Sequence, residues 1–433
     1  MLRRAGGGLG SRGGNRVRSP GRRGALDAQP TRPRWVVISC LGTGQIVAWG
    51  SSYYLPAVLS APIAAATGWP TTVVVGGFSL GLLASGLVSP RVGRLIEGRG
   101  GRPVLAASAA LLAAGLLLLG VSPDPLAFVA GWVVIGVGMG AGLYDPAFST
   151  LGRLYGEDAR RAITQLTLLG GFASTVCWPI SAFLVERVGW RDTCLTYAFT
   201  HIALVLPLYL FGVPAAASRP VSAAAPGGRA LGRILPGQRA AFVILAAAFT
   251  LASVIMTVVS VYLIELLRFR GLAPAAAVTL GALIGPSQVA GRIAEMTCGR
   301  KMHPIWSLIA SCLLVLVGLG MLAGSPSLAA AGIILYGCGS GIRSIARGTV
   351  PLALFGADGY AVLMGRIALP VLLAQSASPS LGGVLMEHSG PTGTLWFLSA
   401  GAVLNTILAL LLIPFALRVR SRTLGREGTG AAH

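Results

Sequence analysis

The sequence predicts an all-α membrane protein of about twelve transmembrane helices arranged as two six-helix repeats. Three observations predict it. The 433 residues are 54% hydrophobic and only 11% charged, with a mean hydropathy of +0.76. Apolar runs of about twenty residues, each enough for one helical crossing of a bilayer, recur from end to end. And a charged stretch near the first quarter, VGRLIEGRGGR at 92–102, returns as AGRIAEMTCGR at 290–300, with glycine, arginine, glutamate, glycine and arginine each shifted by 198.

The apolar runs of the first half fall at 35–58, 70–90, 103–122, 126–150, 161–186 and 191–212, and those of the second at 239–264, 273–296, 305–323, 328–351, 360–386 and 392–416. Between them, residues 213–238 are rich in proline, alanine and glycine and read as a flexible linker joining halves 35–212 and 239–417. Residues 1–34 carry nine arginines against Asp27 and no apolar core, so they read as a disordered basic tail, not a secretory signal. A second basic tail follows at 418–433.

The formal charge of +21 raises the question of nucleic acid. Placement answers it: the arginines lie between apolar runs and in the tails, with no zinc-finger, helix-turn-helix or RNA-binding pattern around them. Arg91, Arg94, Arg99 and Arg102 mark one loop, Arg153, Arg160 and Arg161 another, and Arg219, Arg229, Arg233 and Arg239 the linker, whereas 59–69, 121–125, 324–327 and 387–391 hold no lysine or arginine. The alternation puts both termini in the cytoplasm. The excess of arginine over lysine suggests a GC-rich bacterial genome, hence an inner membrane.

The six cysteines form no CxxC pair and mostly sit in apolar runs, where they read as small buried hydrophobes, with a soft-metal site as the alternative. No Walker motif and no clustering of serine, histidine and aspartate is present, so neither direct use of ATP nor hydrolytic catalysis is expected, and no cofactor or metal is called for.

A second echo, GMGAG at 138–142 and GCGSG at 337–341, is shifted by 199. Together with the repeated loop, it makes the chain resemble a Major Facilitator Superfamily transporter over 35–417. That family's loop signature is matched by Gly93, Glu97, Gly98, Gly100, Gly101 and Arg102, with glutamate in place of aspartate and glycine at two basic positions. The stretch GLYDPAFSTLGRLYGEDARRAITQLTLLGGF and the GWR at 189–191 resemble the monocarboxylate and oxalate–formate arm. The GP-x-x-GG signature of many drug–proton antiporters is absent.

The resemblance implies a gate at the loop: Gly93, Arg94, Glu97, Gly101 and Arg102, with Glu295 and Arg300 in the second copy, would latch the cytoplasmic side. Asp145 lies within the fourth apolar run, and Arg343 and Arg347 within its mate; ionisable residues at such depth usually face a partner or a cavity. Asp145 is therefore expected to pair with Arg343 or Arg347 and to join the halves through a bond that breaks as the protein opens inward. Arg366, in the eleventh run, is the expected carboxylate ligand, because the oxalate–formate relatives hold carboxylates with basic residues of the second half. Arg292 matches Arg94 and is placed near the cytoplasmic end, outside the site. Gln45, Trp49, Ser52 and Tyr53 share a helical face and are expected to line the cavity, joined by Gln165 and Gln288. Proton coupling needs a buried carboxylate, for which Asp145 and Glu265 are the candidates.

The expected function is alternating-access transport of a small organic anion, a monocarboxylate, coupled to protons, by a monomer whose partners are the substrate and the bilayer. The alternatives are an exporter of a toxic drug or metalloid, and a non-transporting receptor of transporter-like fold.

Overall fold

A computed structural model describes residues 32–215, 234, 236–299 and 302–418. The tail and linker expectations for 1–31, 216–233 and 419–433, and the gating expectation for Arg300, lie outside the described residues.

The described residues are helical almost throughout, and no strand occurs among them. The helices are α1 (Arg34–Gly50), α2 (Leu55–Thr67), α3 (Thr71–Arg99), α4 (Gly101–Val121), α5 (Pro125–Gly142), α6 (Tyr144–Tyr155), α7 (Ala159–Gly170), α8 (Ala173–Thr200), α9 (Arg239–Phe269), α10 (Pro274–Ala282), α11 (Ile284–Cys298), α12 (Pro304–Gly324), α13 (Ala329–Phe355) and α14 (Tyr360–Leu410). Two of them bend at a glycine in the left-handed region, α8 at Gly189 (φ 79°) and α14 at Gly390 (φ 65°). Only glycine takes that backbone without strain, so the chain can reverse there. Among the described residues, seven continuous helical stretches are long and apolar enough to cross a membrane; Pro125–Gly212, with 88 residues, and Tyr360–Arg418, with 59, far exceed one crossing. Their outer faces carry large apolar side chains such as Phe183, Phe199, Phe211 and Trp396, which suit lipid.

The first apolar run departs from its expected shape. It is not one helix ending near residue 58 but two, α1 and α2, separated by a turn at 51–54. Gly50 closes α1 against Cys177, whose sulfur occupies the space a β-carbon would need. Pro56 then sits in the first turn of α2, where its missing N–H costs nothing.

The repeated glycine motif acts as a packing device. Gly138 and Gly142 of α5 meet Leu112 and Ser108 of α4 and Gly140 the Ser85 carbonyl of α3, while Gly337 and Gly341 of α13 abut Ile284 and Gln288 of α11 and Gly339 the Ser311 carbonyl of α12. Without side chains the backbones meet directly, which stabilises helix pairs where water supplies no hydrophobic force. The helices pack as two sets, α1–α8 and α9–α14, which meet mainly through α3 against α14 and through α6 and α7 against α13 and α14.

A charged cavity between two helical sets

A cavity between the sets encloses about 1050 Å³ of atom-free space, solvent included. Its charge is concentrated on one side. Arg292 comes from α11, Arg343 and Arg347 from α13, and the single acid, Asp145, from α6.

Asp145 is aimed by a break in the chain. Leu143 is extended (ψ −158°) between α5 and α6, so Asp145 opens a new helix and lies in its first turn. There the aligned peptide dipoles favour a negative charge. Arg347 meets it bidentately, Nε donating to Oδ1 at 2.8 Å and Nη2 to Oδ2 at 2.6 Å. This two-point geometry is the strong form of the ion pair.

Arg343 has a different environment. Nη1 donates to the Ala252 carbonyl at 3.0 Å, and Nη2 reaches Met256 Sδ at 3.1 Å and Ser340 Oγ at 3.3 Å. Arg292 is 5% exposed; its Nε donates to Ser344 Oγ at 3.0 Å and its Nη2 lies 3.5 Å from Gln288 Oε1. Arg292 Nη1 is buried without a hydrogen-bond partner. Among the described residues, no carboxylate lies within ion-pairing distance of Arg292 or Arg343. The cavity thus holds two guanidinium groups balanced only by neutral dipoles.

The position of Arg292 corrects the sequence reading, which set it aside as the counterpart of Arg94. Gly93 and Gly291 occupy equivalent places in the repeat but face different neighbours: Gly93 abuts the Ala361 carbonyl of α14, Gly291 the Cys338 carbonyl of α13. The residue that follows each glycine turns about 100° further round its helix. Arg94 is thereby exposed, and Arg292 is brought into the cavity. Gly171 supplies the room, since a β-carbon there would collide with Arg292 Nη1. Of the adjacent glycines, only Gly171 makes this room; Gly170 packs against Tyr144.

Arg366 is also corrected. It is exposed and does not line the cavity. Gln375 of the same helix does line it, and nine residues at 100° each put Arg366 on the opposite face. Glu265 is likewise exposed and outside the cavity, away from the buried Leu263 and Leu266.

Of the expected face of α1, Trp49 and Tyr53 line the cavity, together with Tyr54, and Gln288 lines it from α11. Gln45 and Ser52 do not. The turn at 51–54 takes Ser52 off the helical face, while Gln45 stays on α1 behind Trp49. Gln45 is fully buried, donates to the Gly142 carbonyl at 2.6 Å and accepts from Trp49 Nε1 at 3.1 Å. Ser52 is equally buried and donates back to the Ala48 carbonyl. Gln165 is exposed outside the cavity.

At the arginine-rich end the two sets close on each other. Gly93 abuts Ala361, Gly365 abuts the Ser89 carbonyl, and Tyr360 packs over Gly152 while its hydroxyl donates to the Gly348 carbonyl at 2.6 Å. Gly101 packs against Thr150 inside the first set. Glu97 pairs with Arg153 of α6 at 3.8 Å, and the same guanidinium donates to the Glu97 carbonyl, so this carboxylate ties α3 to α6. Arg94 is exposed, because Gly93 and Glu97, four residues apart, already occupy the inward stripe of α3; Arg102, on α4, is half-buried. The cross-set contact falls to Arg160, which donates to the carbonyls of Gly299 (2.9 Å) and Met302 (2.7 Å) and lies 3.9 Å from Glu295. Glu295 also accepts from Ser307 Oγ at 2.6 Å. Among the described residues, no group of three or more His, Cys, Asp or Glu could hold a metal ion.

An apolar, multi-pass helical bundle with a charged cavity between two helical sets defines a membrane transporter. The chain belongs to the Major Facilitator Superfamily, whose sequence profile matches residues 41–343; this is a family of transporters, not enzymes. Its curated relatives include monocarboxylate transporter 11 of Homo sapiens, 28% identical over 368 residues that cover 78% of this chain and 74% of that protein. The Mus musculus protein of the same name is 26% identical over 363 residues, 78% of each chain. Among solved structures, the human organic anion transporter MFSD10 (TETRAN) superposes with a TM-score of 0.73 at 16% identity, over 87% of this chain and 100% of that one.

Proposed function

We propose that the chain crosses the membrane twelve times, as two six-helix halves spanning 35–212 and 239–417, and carries a small organic anion, a monocarboxylate, by alternating access. Both termini would face the cytoplasm of a bacterial inner membrane. The 198- and 199-residue repeats and the bends at Gly189 and Gly390 support the two halves. The contacts of Gly93, Tyr360 and Arg160 would hold the arginine-rich end shut while the cavity opens at the other.

One observation carries the anion reading: the buried Arg292 and the half-buried Arg343 present guanidinium groups to the cavity without a carboxylate partner among the described residues. A buried, uncompensated charge is costly, and a bound carboxylate relieves that cost by bidentate hydrogen bonding. Arg292 replaces Arg366 as the ligand. The resemblance to monocarboxylate transporter 11 points the same way.

Asp145 and Arg347 would couple the motion to protons. Their bond joins α6 of one set to α13 of the other. A proton taken by Asp145 removes half of that pair and lets the sets part. The test is flux of labelled monocarboxylates into sealed proteoliposomes under an imposed pH gradient, comparing wild type with Asp145→Asn. Saturable uptake driven by the gradient, uncoupled from it in the variant, is expected. No uptake of any acid by folded protein overturns the anion reading.

A further inference from the structure

The wall of the cavity facing the arginines is aromatic. Trp49, Tyr53, Tyr54 and Tyr144 all line it, and all four are only half-buried. Their rings form one cluster, with Trp49 centred 5.0 Å from Tyr144, 5.2 Å from Tyr53 and 5.9 Å from Tyr54.

The cluster is held in place from behind. Trp49 is fixed through Gln45 to the Gly142 carbonyl, Tyr53 accepts a hydrogen bond from Gln375 at 2.8 Å, and Tyr144 stacks on Phe148 at 5.2 Å with rings 9° from parallel. Rings serving only as core packing would be covered. These face a cavity, where a ligand that covers them removes apolar surface from water.

Charge narrows what that ligand is. Three guanidinium groups (Arg292, Arg343, Arg347) against one carboxylate (Asp145) leave the cavity at 3 − 1 = +2, which disfavours an aromatic amine. A two- or three-carbon acid would meet an arginine but leave the rings bare.

Building on the anion reading, we propose that the substrate is an aryl-bearing carboxylate, its acid group on the Arg292–Arg343 side and its ring seated on the Trp49–Tyr54–Tyr144 wall. Offset and edge-on ring contacts add stabilisation beyond the area they bury. The aromatic wall then sets specificity, and the cationic wall sets charge.

Equilibrium dialysis against the purified full chain separates the two claims. Labelled phenylacetate, cyclohexylacetate, acetate and phenylacetamide are the probes. Phenylacetate is expected to bind about tenfold tighter than acetate, with cyclohexylacetate a few-fold weaker than phenylacetate. Tyr54→Leu narrows the phenylacetate-to-acetate ratio, and Tyr54→Phe keeps it. Equal affinity for phenylacetate and acetate, or for phenylacetate and cyclohexylacetate, overturns the aryl inference and leaves the anion reading standing. Equal affinity for phenylacetate and its amide overturns the anion reading. Binding of none of the four overturns both.

Discussion

The two walls of the cavity are built on comparable helices but carry opposite chemistry. The α1–α8 set contributes Trp49, Tyr53, Tyr54, Tyr144 and the lone acid Asp145; the α9–α14 set contributes all three arginines. In both sets glycines of α5 or α13 bring a neighbouring backbone into direct contact. Similar backbone packing therefore leaves the side chains free to diverge. The difference arises where a helix is turned or broken: Leu143 interrupts the first set between α5 and α6 and aims Asp145 inward, whereas α13 runs unbroken past Arg343 and Arg347.

The sharpest way to break this contrast is to neutralise the cationic wall. Arg343→Gln removes charge-assisted contacts worth about 1.5–3 kcal/mol, so kcat/KM for carboxylate flux should fall roughly 10- to 100-fold, measured as initial rates in proteoliposomes.

Exchanging charge between the walls is next. Asp145→Arg or Arg347→Asp alone leaves like charges facing each other and should lower the thermal midpoint and abolish flux. The double exchange should recover part of both. The pair is 14% and 22% exposed, so the cost of breaking it is set below the range for fully buried pairs, at about 2 kcal/mol. Failure of the double exchange to recover anything would remove the pair as a link between the walls.

Overpacking the closed end gives a smaller effect. A leucine at Gly93 must displace the Ala361 backbone, at a cost of about 1–3 kcal/mol. Labelling of a cysteine introduced near Arg160 should then rise as that end opens. The smallest effects belong to Arg366→Gln and Glu265→Gln. Both side chains lie outside the cavity, and flux should stay within about twofold of wild type.

Much of the architecture was legible because its signals are long and redundant. Twenty-residue apolar runs, a repeated charged loop and a repeated glycine motif survive small errors of boundary. Asp145 was legible as a carboxylate in an apolar run, which narrowed its partners to Arg343 or Arg347. The rest of the site depended on rotation about helix axes, which a repeat in sequence does not encode. Arg292 was set aside because it aligns with Arg94, yet their preceding glycines face different helices. Arg366 looked like a ligand by its depth in a run, but lies half a turn from the cavity-lining Gln375. Ser52 was grouped with Trp49 on a helix that in fact ends at Gly50, and Gln45 of that helix is drawn away to the Gly142 carbonyl.

The central claim is that a buried guanidinium, Arg292, holds the carboxylate of the substrate. Equilibrium binding of a labelled monocarboxylate to purified wild type, Arg292→Gln and Arg366→Gln tests it most directly. Saturable binding in wild type and Arg366→Gln, with affinity at least about tenfold weaker in Arg292→Gln, is the predicted result. Equal affinity in wild type and Arg292→Gln would contradict it.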